Sequence, residues 1–294
     1  MEGILLALGS QAKTPQLKEA VNAAKGPFAE SLKNIQNDCP IPYIREKCLA
    51  AFEVAFDSGN EKAQHTAVEG VQNLLRDPRF HSDGQDNKDH TLPVQVLHSF
   101  TGIAQWSSQL QCHCMTLIVE LLSSHEVEPS IAEVHEALEL CMRAFGSSRD
   151  ESARMSSRAA VSQSISSYCS NRYANVDEEQ DNIAVYLDAT SLLEGYIAKL
   201  DQLKITNEQA IILLDAIHSL LSSQPLSILV HIPFFNLLWE KLCPLLIRLF
   251  GVPDKNTSAE TKVSVDGPMG EGQMAKFGLS PAVLSNPEAS RALY

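Results

Sequence analysis

The 294-residue sequence is poor in basic residues and in long apolar runs. It contains 23 Lys and Arg against 36 Asp and Glu, which gives a formal net charge of −13 at pH 7. Proteins that bind nucleic acid hold phosphates with basic side chains that displace counterions, so this charge argues against a nucleic-acid partner. The longest apolar stretch, Leu226 to Trp239, contains Pro233 and several polar residues. It is shorter than the roughly 20 residues that cross a bilayer, so no transmembrane helix is predicted.

Signals for secretion and for a disulfide framework are also missing. The start of the chain, MEGILLALGS, has no Lys or Arg ahead of its short apolar core, unlike a secretory signal peptide. The seven cysteines are odd in number and widely spread, and four of them lie in apolar-periodic segments. This distribution indicates reduced, partly buried thiols. We therefore expect a cytosolic protein with free cysteines.

The motifs of the common catalytic classes are absent. There is no Gly-rich phosphate loop, no GxSxG elbow, no HExxH pair and no kinase signature. The sequence therefore predicts a protein that is not an enzyme, with no catalytic residues and no cofactor.

One cluster suggests a metal, namely Cys112-His113-Cys114 with three further histidines nearby, His98, His125 and His135. Residues two apart on a helix point about 200° away from each other, so Cys112 and Cys114 would not share an ion on an unbroken helix. The Cys-x2-Cys spacing of zinc sites is also missing. We predict no metal site, and a metal-dependent enzyme at this cluster is the remote alternative.

The apolar residues recur at spacings of three and four almost throughout, which predicts an all-helical chain. Helices are expected to begin at Pro15 and Pro42, at roughly 93–106 and 109–124, and at about Pro233, which starts a helix that reaches Phe250. Prolines inside two of them, Pro27 and Pro244, should bend them. Three pairs have the capping-box spacing of Ser or Thr followed by Glu or Gln: Ser130/Glu133, Ser148/Glu151 and Thr206/Gln209.

Short breaks such as Asp57–Asn60 favour antiparallel helical hairpins. About ten helices in pairs of about 35 to 45 residues predict a stack of the HEAT or armadillo type, with an irregular all-helical domain as the alternative. Most of the four aromatic residues Phe52, Phe80, Trp106 and Trp239 are expected in the core.

An acidic surface is expected in the middle of the chain. No Lys or Arg occurs between Asp89 and Met142, whereas six glutamates do: Glu120, Glu126, Glu128, Glu133, Glu136 and Glu139. Glu133 and Glu136 lie three apart on one helix side, where they form either a solvated face or a docking site for a basic partner. We interpret both as exposed, and therefore not as a catalytic pair.

A family resemblance rests on the segment 44–80. Its distinctive features are Arg45-Glu46-Lys47-Cys48 at the start of a helix, the Ser58-Gly59-Asn60 turn, Ala63-Gln64-His65 with Ala67, and Asn73-Leu74-Leu75 followed by Arg79-Phe80. The segment resembles the amino-terminal dimerisation and cyclophilin-binding (DCB) region of large Golgi Arf guanine-nucleotide exchange factors. It is closest to the brefeldin A-inhibited type, in particular its divergent third member.

A second segment, 213–251, resembles the helical HUS region that follows in that family, through Trp239 and the run from Lys241 to Ile247. The resemblance divides the chain into a DCB-like domain (1–175), the start of a HUS-like region (176–251), a disordered linker (252–280) and a truncated next helix (281–294). Nothing in the sequence resembles the catalytic exchange domain of the family, and we expect a truncated product, a partial gene model or a cut fragment.

The resemblance implies a non-catalytic scaffold that self-associates and binds Arf or Arf-like GTPases. It would be peripheral at the trans-Golgi network or on secretory granules and held there by its partners. A partner-binding patch is predicted at the turn and helix ends around Arg45, Lys47, Asn60 and Gln64. The alternative is a cytosolic helical-repeat adaptor that binds peptides and is unrelated to Arf traffic.

Overall fold

A computed structural model describes residues 1–33, 40–81, 90–173, 183–202 and 206–250, and the side chains of 28–33 and 250 lie outside this description. All regular secondary structure within these ranges is helical, which confirms the predicted all-α class. The predicted linker (252–280), the predicted last helix (281–294) and the predicted domain boundary at 175/176 lie outside the described residues. No helix in the described ranges is long and apolar enough to span a membrane.

The chain divides into two compact units, an N-terminal unit (1–171) and a C-terminal unit (172–294). The N-terminal unit begins with the hairpins α1–α2 and α3–α4 and continues through α5 to α8. The bounds of its helices are α1 Glu2–Gln11, α2 Pro15–Lys33, α3 Ile41–Asp57, α4 Glu61–Arg76, α5 Leu92–Ser99, α6 Ser108–Ser123, α7 Ile131–Ser147 and α8 Glu151–Tyr173. Two 3-10 turns, Pro78–Phe80 and Ile103–Gln105, flank α5.

The helices of the N-terminal unit form two layers. Helices α2, α3, α5 and α7 pack side by side in one layer, and α1, α4 and α6 pack in the other. The hairpin partners α1–α2, α3–α4 and α6–α7 join the layers. Because α1 to α4 each contact both a hairpin partner and the equivalent helix of the neighbouring pair, and α6 and α7 extend the two layers, the arrangement is the stacked-hairpin architecture that the helix periods predict.

Close packing between α3 and α4 depends on a glycine. Phe52 of α3 is fully buried, and a Cβ built on Gly70 of α4 would lie 2.3 Å from the end of its ring. Any larger residue at position 70 would therefore push the ring out of the core. The absence of a side chain at Gly70 brings the two helices of this hairpin together.

An aromatic cluster lies at the C-terminal end of α3, one turn beyond Phe52. The ring of Phe56 lies 5.0 Å from that of Trp106 and 6.0 Å from that of Phe100, measured between centroids. The indole N–H of Trp106 donates a 2.7 Å hydrogen bond to Asp57, which satisfies its polar atom at the edge of the core. The helix predicted over 93–106 ends earlier, at Ser99, and Trp106 then folds back over Gly102, where a Cβ would lie 3.1 Å from the indole nitrogen.

Two of the three predicted capping boxes are present. Glu133 caps the start of α7 at Ser130, and Thr206 and Gln209 cap each other at the start of α10. The prediction for Ser148 and Glu151 is wrong. There, the carboxylate of Asp150 accepts from the backbone N–H of Ser152, and Ser148 instead accepts from the N–H of Asp150. Asp and Ser are both good capping residues, and here Asp150, which directly precedes the first residue of α8, is the N-cap residue.

The C-terminal unit contains α9 Ile183–Leu200, α10 Asn207–Ser222, α11 Leu226–Leu229, α12 Ile232–Asn236, a π-helical segment Leu237–Leu242, and α13 Cys243–Phe250. The single helix predicted from Pro233 thus contains a π-helical segment that ends just before Pro244. The backbone N–H of Cys243 donates to the carbonyl of Leu238, five residues back. Since Pro244 has no N–H to donate, the wider turn ahead of it absorbs the interruption. Pro27, in contrast, lies inside α2, which continues to Lys33.

Candidate interaction surfaces

Arg45, the first residue of the predicted partner patch, is completely buried. Its guanidinium donates to the side-chain oxygen of Gln95 at 2.8 Å, to the carbonyl of Phe80 at 2.8 Å and to the carbonyl of His90 at 2.6 Å. These bonds connect α3 to the 3-10 turn after α4 and to the start of α5. In this structure Arg45 therefore fixes the packing of three segments and presents no atom to a partner.

Gln64 and Asn60 also bind helix ends. The amide of Gln64, which is buried, donates to the carbonyl of Phe56 at 2.8 Å, and Asn60 donates to the carbonyl of Gln11 at 3.2 Å. Both carbonyls belong to last turns, which lack intrahelical donors. Lys47 is half-buried, with its ammonium 3.4 Å from Glu46 and 4.9 Å from the centre of the Tyr43 ring. A role of the four residues in partner binding stays a prediction, for which Lys47 and Asn60 supply the accessible atoms.

Cys112, His113 and Cys114 lie on the unbroken helix α6, whereas His98 lies on α5, His125 follows α6 and His135 lies on α7. Cys114 is buried on the core side of α6, whereas Cys112 is half-buried, as their separation of two residues requires. Burial raises the pKa of the Cys114 thiol, and it raises that of Cys48 to about 12. Such thiols stay protonated and are poor metal ligands. Within the ranges that the structure describes, no group of three His, Cys, Asp or Glu side chains is placed to hold a metal ion.

The expectation that Glu133 is exposed is wrong. Its side chain is buried, and its carboxylate caps α7 and accepts from the hydroxyl of Thr91 at 3.3 Å. Glu136 is half-buried, and burial is the main cause that raises its pKa, with the charges of His98 and Arg143 acting in the opposite direction. The capping function explains why the Glu133 side chain is buried, because a carboxylate at the N3 position turns back towards the backbone of the N-cap residue.

Three of the four aromatic residues considered in the sequence analysis lie in the core, as expected, and the fourth is exposed. Phe52, Phe80 and Trp106 are buried, whereas Trp239 is 61% exposed.

Trp239 belongs to a group of exposed apolar side chains that are close together in the sequence. We call this group the C-terminal apolar surface: Leu226, Val230, Ile232, Phe235 and Trp239. The rings of Phe235 and Trp239 lie 6.0 Å apart, so at least these two side chains are in contact on the outside of the helix. A large exposed apolar patch is typical of an interaction site, and Trp is enriched at the energetic centres of interfaces.

This surface exists because the segment is apolar on two sides. Ile228, Phe234 and Leu242 are buried and anchor α11, α12 and the π-helical segment within the unit. The amine of Lys241 pairs with Glu194 of α9 at 2.9 Å, and Arg248 of α13 pairs with Asp201 at the end of α9. An amphipathic helix needs one apolar stripe for packing, and the second stripe here has no partner among the described residues.

Comparison with known proteins gives two relatives of the same kind. The chain is 27% identical, over an alignment of 326 residues, to brefeldin A-inhibited guanine nucleotide-exchange protein 3 of Homo sapiens, and the match covers all of this chain. The protein of the same name in Mus musculus is 27% identical over 275 residues, which cover 86% of this chain. These alignments span 15% and 12% of the relatives' lengths. No family model matches the chain, and no solved structure matches it.

The chain is therefore similar in sequence, along its whole length, to a small part of a guanine nucleotide-exchange protein. The similarity agrees with the resemblance seen in segments 44–80 and 213–251. It extends that resemblance to the remainder of the chain.

Proposed function

We propose that this chain is a non-catalytic helical scaffold, related to the regulatory amino-terminal region of a large Arf guanine-nucleotide exchange factor. It self-associates and binds an Arf or Arf-like GTPase in vesicle traffic at the trans-Golgi network or secretory granules. The observation that carries the proposal is the similarity to the human exchange protein over all of this chain. Stacked helices support it, because such stacks present broad surfaces that hold protein partners without chemistry.

The C-terminal apolar surface is the best candidate for the partner contact. Trp239 and Phe235 combine large apolar area with partial exposure, and Trp is among the residue types enriched in interface hot spots. Removing two such side chains from a binding interface is expected to weaken binding by about 2 kcal/mol or more, which is roughly 30-fold in affinity.

The test is capture of the purified chain by immobilised Arf and Arf-like GTPases, loaded with GDP or with a non-hydrolysable GTP analogue. We expect capture by at least one GTPase, and loss of it in Phe235→Ser/Trp239→Ser. The matched control is Leu6→Ser/Met155→Ser, which removes exposed apolar side chains of the N-terminal unit and should leave capture unchanged. Equal capture by both variants would reject this surface as the contact. No capture by any GTPase would reject GTPase binding.

Self-association is tested separately by sedimentation velocity over a range of concentrations. A species heavier than 32.2 kDa that increases with concentration is expected. A monomer at every concentration would reject self-association, and this result would not affect the test of GTPase binding.

A test of the partner-binding patch predicted around Arg45 requires a variant that still folds. Because Arg45 is buried, its replacement would disturb packing, and Lys47→Ala/Asn60→Ala is the informative change. Unchanged GTPase capture by this variant would show that the patch is not a contact.

The non-catalytic part of the proposal is tested by release of fluorescent GDP from the captured GTPase. We expect the same release rate with and without this chain, and acceleration would contradict the proposal. Cellular distribution separates the alternative adaptor function. Golgi co-localisation that is lost on brefeldin-type disruption supports the scaffold, whereas a diffuse cytosolic distribution supports a peptide-binding adaptor unrelated to Arf traffic.

A further inference from the structure

An open groove of about 290 Å³ runs between α3 and α5 in the N-terminal unit. Its lining between the two helices, which we call the floor, includes Leu49, Ala50, Val94, Gln95 and Ser99. The groove is open because small side chains lie between these two packed helices, with Ala50 on α3 and Ser99 on α5.

The polar atoms of the floor are already satisfied within the protein. The amide of Gln95 donates to the carbonyl of Pro42 at 2.9 Å, and its oxygen accepts from Arg45. The hydroxyl of Ser99 donates to the carbonyl of Val96 at 2.7 Å. The floor is thus preorganised, and its accessible part favours an aliphatic side chain over a polar one.

The rim of the groove on the α3 side is acidic. Glu46 and Glu53 line it seven residues apart, which is two helical turns or about 10 Å along the axis. Burial is the main cause that raises the pKa of Glu53, and the charge of His98 across the groove partly offsets this rise. No Lys or Arg of the described residues lies within ion-pair distance of Glu53.

None of the Lys and Arg side chains near the groove pairs with Glu53, although Lys47 lies beside Glu46, and two histidines, His90 and His98, also line the groove. Lys47 lies over the ring of Tyr43 and beside Glu46, and Arg143 of α7 donates to the carbonyl of Thr101 at 3.2 Å. Arg45 is fully buried, and its donors are directed to the side chain of Gln95 and to the carbonyls of Phe80 and His90. A half-buried carboxylate beside an apolar trench is complementary to a cation that is attached to an apolar segment.

We propose that the α3–α5 groove binds a short basic segment of a partner protein. One aliphatic side chain of that segment enters the groove over Ala50, and Lys or Arg side chains on either side of it pair with Glu46 and Glu53. This inference does not depend on the proposed GTPase binding, because it rests on the groove alone.

The experiment measures the fluorescence anisotropy of a short fluorescein-labelled peptide of Lys, Leu and Ser, in which Leu is flanked by Lys on both sides. The full chain should bind this peptide, and binding should weaken as NaCl is added, since partly exposed ion pairs are screened. Peptides with Leu replaced by Ser, or with Lys replaced by Glu, should bind at least about tenfold more weakly, because each loses one half of the recognition.

Two protein variants locate the site. Glu46→Gln/Glu53→Gln should weaken binding by about tenfold, while the matched Glu2→Gln/Glu19→Gln, which makes the same charge change on exposed residues of α1 and α2, should not. Ala50→Phe should fill the groove and abolish binding, whereas Ala198→Phe, at an exposed helical alanine of the C-terminal unit, should leave it intact. Circular dichroism melts will show that each variant folds.

Three results would overturn the proposal. The first is the absence of peptide binding to the parent chain. The second is equal binding by the groove variants and their controls. The third is binding that responds to salt but not to the loss of Leu, which would indicate attraction to the net negative charge without use of the groove.

Discussion

Each of the two units contains one tryptophan, and the two indole side chains differ strongly in exposure. Trp106 of the N-terminal unit is 8% exposed, packs on Phe56 and donates to Asp57, whereas Trp239 of the C-terminal unit is 61% exposed and contacts Phe235 on the outside. Helices of the N-terminal unit contact neighbours both within a layer and between the two layers, and Trp106 lies in the core that they form. The segment 226–247 is covered on one side only, so its second apolar stripe reaches the surface.

This difference separates side chains that stabilise the fold from side chains that are available for binding. Burying a large apolar side chain stabilises a fold by about 1.5–3 kcal/mol relative to leaving it exposed. A half-exposed side chain gives up much of that gain unless a partner covers it. We therefore expect substitutions of buried apolar side chains in the N-terminal unit to change stability, and substitutions on the C-terminal apolar surface to change association.

The largest expected effect compares two phenylalanines. Phe52→Ala removes a fully buried ring that packs against Gly70, and should lower the free energy of unfolding of the N-terminal unit by about 3–5 kcal/mol. Phe235→Ala, at a position that is 46% exposed, should change stability by less than about 1 kcal/mol. Urea denaturation followed by far-UV circular dichroism measures both, and the fluorescence of the buried Trp106 reports in addition on the N-terminal unit. Equal losses would contradict the distinction between the units.

The second effect compares two arginines. Arg45→Ala leaves the oxygen of Gln95 and the carbonyls of Phe80 and His90 without this donor, and should destabilise the N-terminal unit by about 3 kcal/mol. Arg248→Ala removes an exposed partner of Asp201 and should cost less than about 1 kcal/mol. The same denaturation experiment applies. A small effect at Arg45 would mean that its buried bonds are dispensable and would reopen its predicted binding role.

The third prediction concerns the environment of the tryptophans and involves no change in stability. Trp239→Phe leaves Trp106 as the single tryptophan, and its emission should be blue-shifted and protected from acrylamide. Trp106→Phe leaves Trp239, whose emission should be red-shifted and readily quenched. If a bound partner protects Trp239 from acrylamide, the C-terminal apolar surface is the contact, whereas unchanged quenching on binding places the contact elsewhere.

The smallest effect is the pH dependence of Glu53. Its pKa is raised in the folded state, so between the ordinary and the raised value the folded protein holds more protons than the unfolded one, and stability falls as pH rises through that window. Glu53→Gln removes the cost of burying this charge. The melting temperature of the variant should be slightly higher than that of the parent at neutral pH, and this difference should disappear at acidic pH.

Glu240→Gln, at an exposed position of the C-terminal unit, is the control for the same loss of charge. Its melting temperature should not differ from that of the parent in this pH-dependent way. A Glu53→Gln variant that is less stable than the parent at neutral pH would indicate that the carboxylate stabilises the fold.

Much of the helical framework could be predicted from the sequence. The spacing of apolar residues, together with Ser130/Glu133 and Thr206/Gln209, marks helices whose ends depend on groups a few residues away, and such local signals are legible in one dimension. The early end of α5 and the π-helical segment were missed. Both depend on contacts or interruptions that a periodic pattern does not show, namely the fold-back of Trp106 over Gly102 and the missing N–H of Pro244.

The predicted binding residues show the limit of local reasoning. Arg45 and Lys47 lie two apart near the start of α3, and both are basic, so the sequence gives no reason to treat them differently. Position on the helix places Arg45 under α5, where carbonyl groups of Phe80 and His90 converge, and leaves Lys47 beside Glu46 near the surface. The groove between α3 and α5 was missed for the same reason, because Glu46 and Glu53 become a binding rim only when α5 packs opposite them.

The sequence by itself determined the all-helical class, most helix starts and the acidic character, because periodicity, caps and charge are properties of neighbouring residues. Only the tertiary structure decided which polar side chains are buried, which apolar stripe stays exposed and where a groove opens. Those outcomes depend on which helices pack against each other across tens of residues of chain. A helix with two apolar sides has no local feature that states which side will be covered.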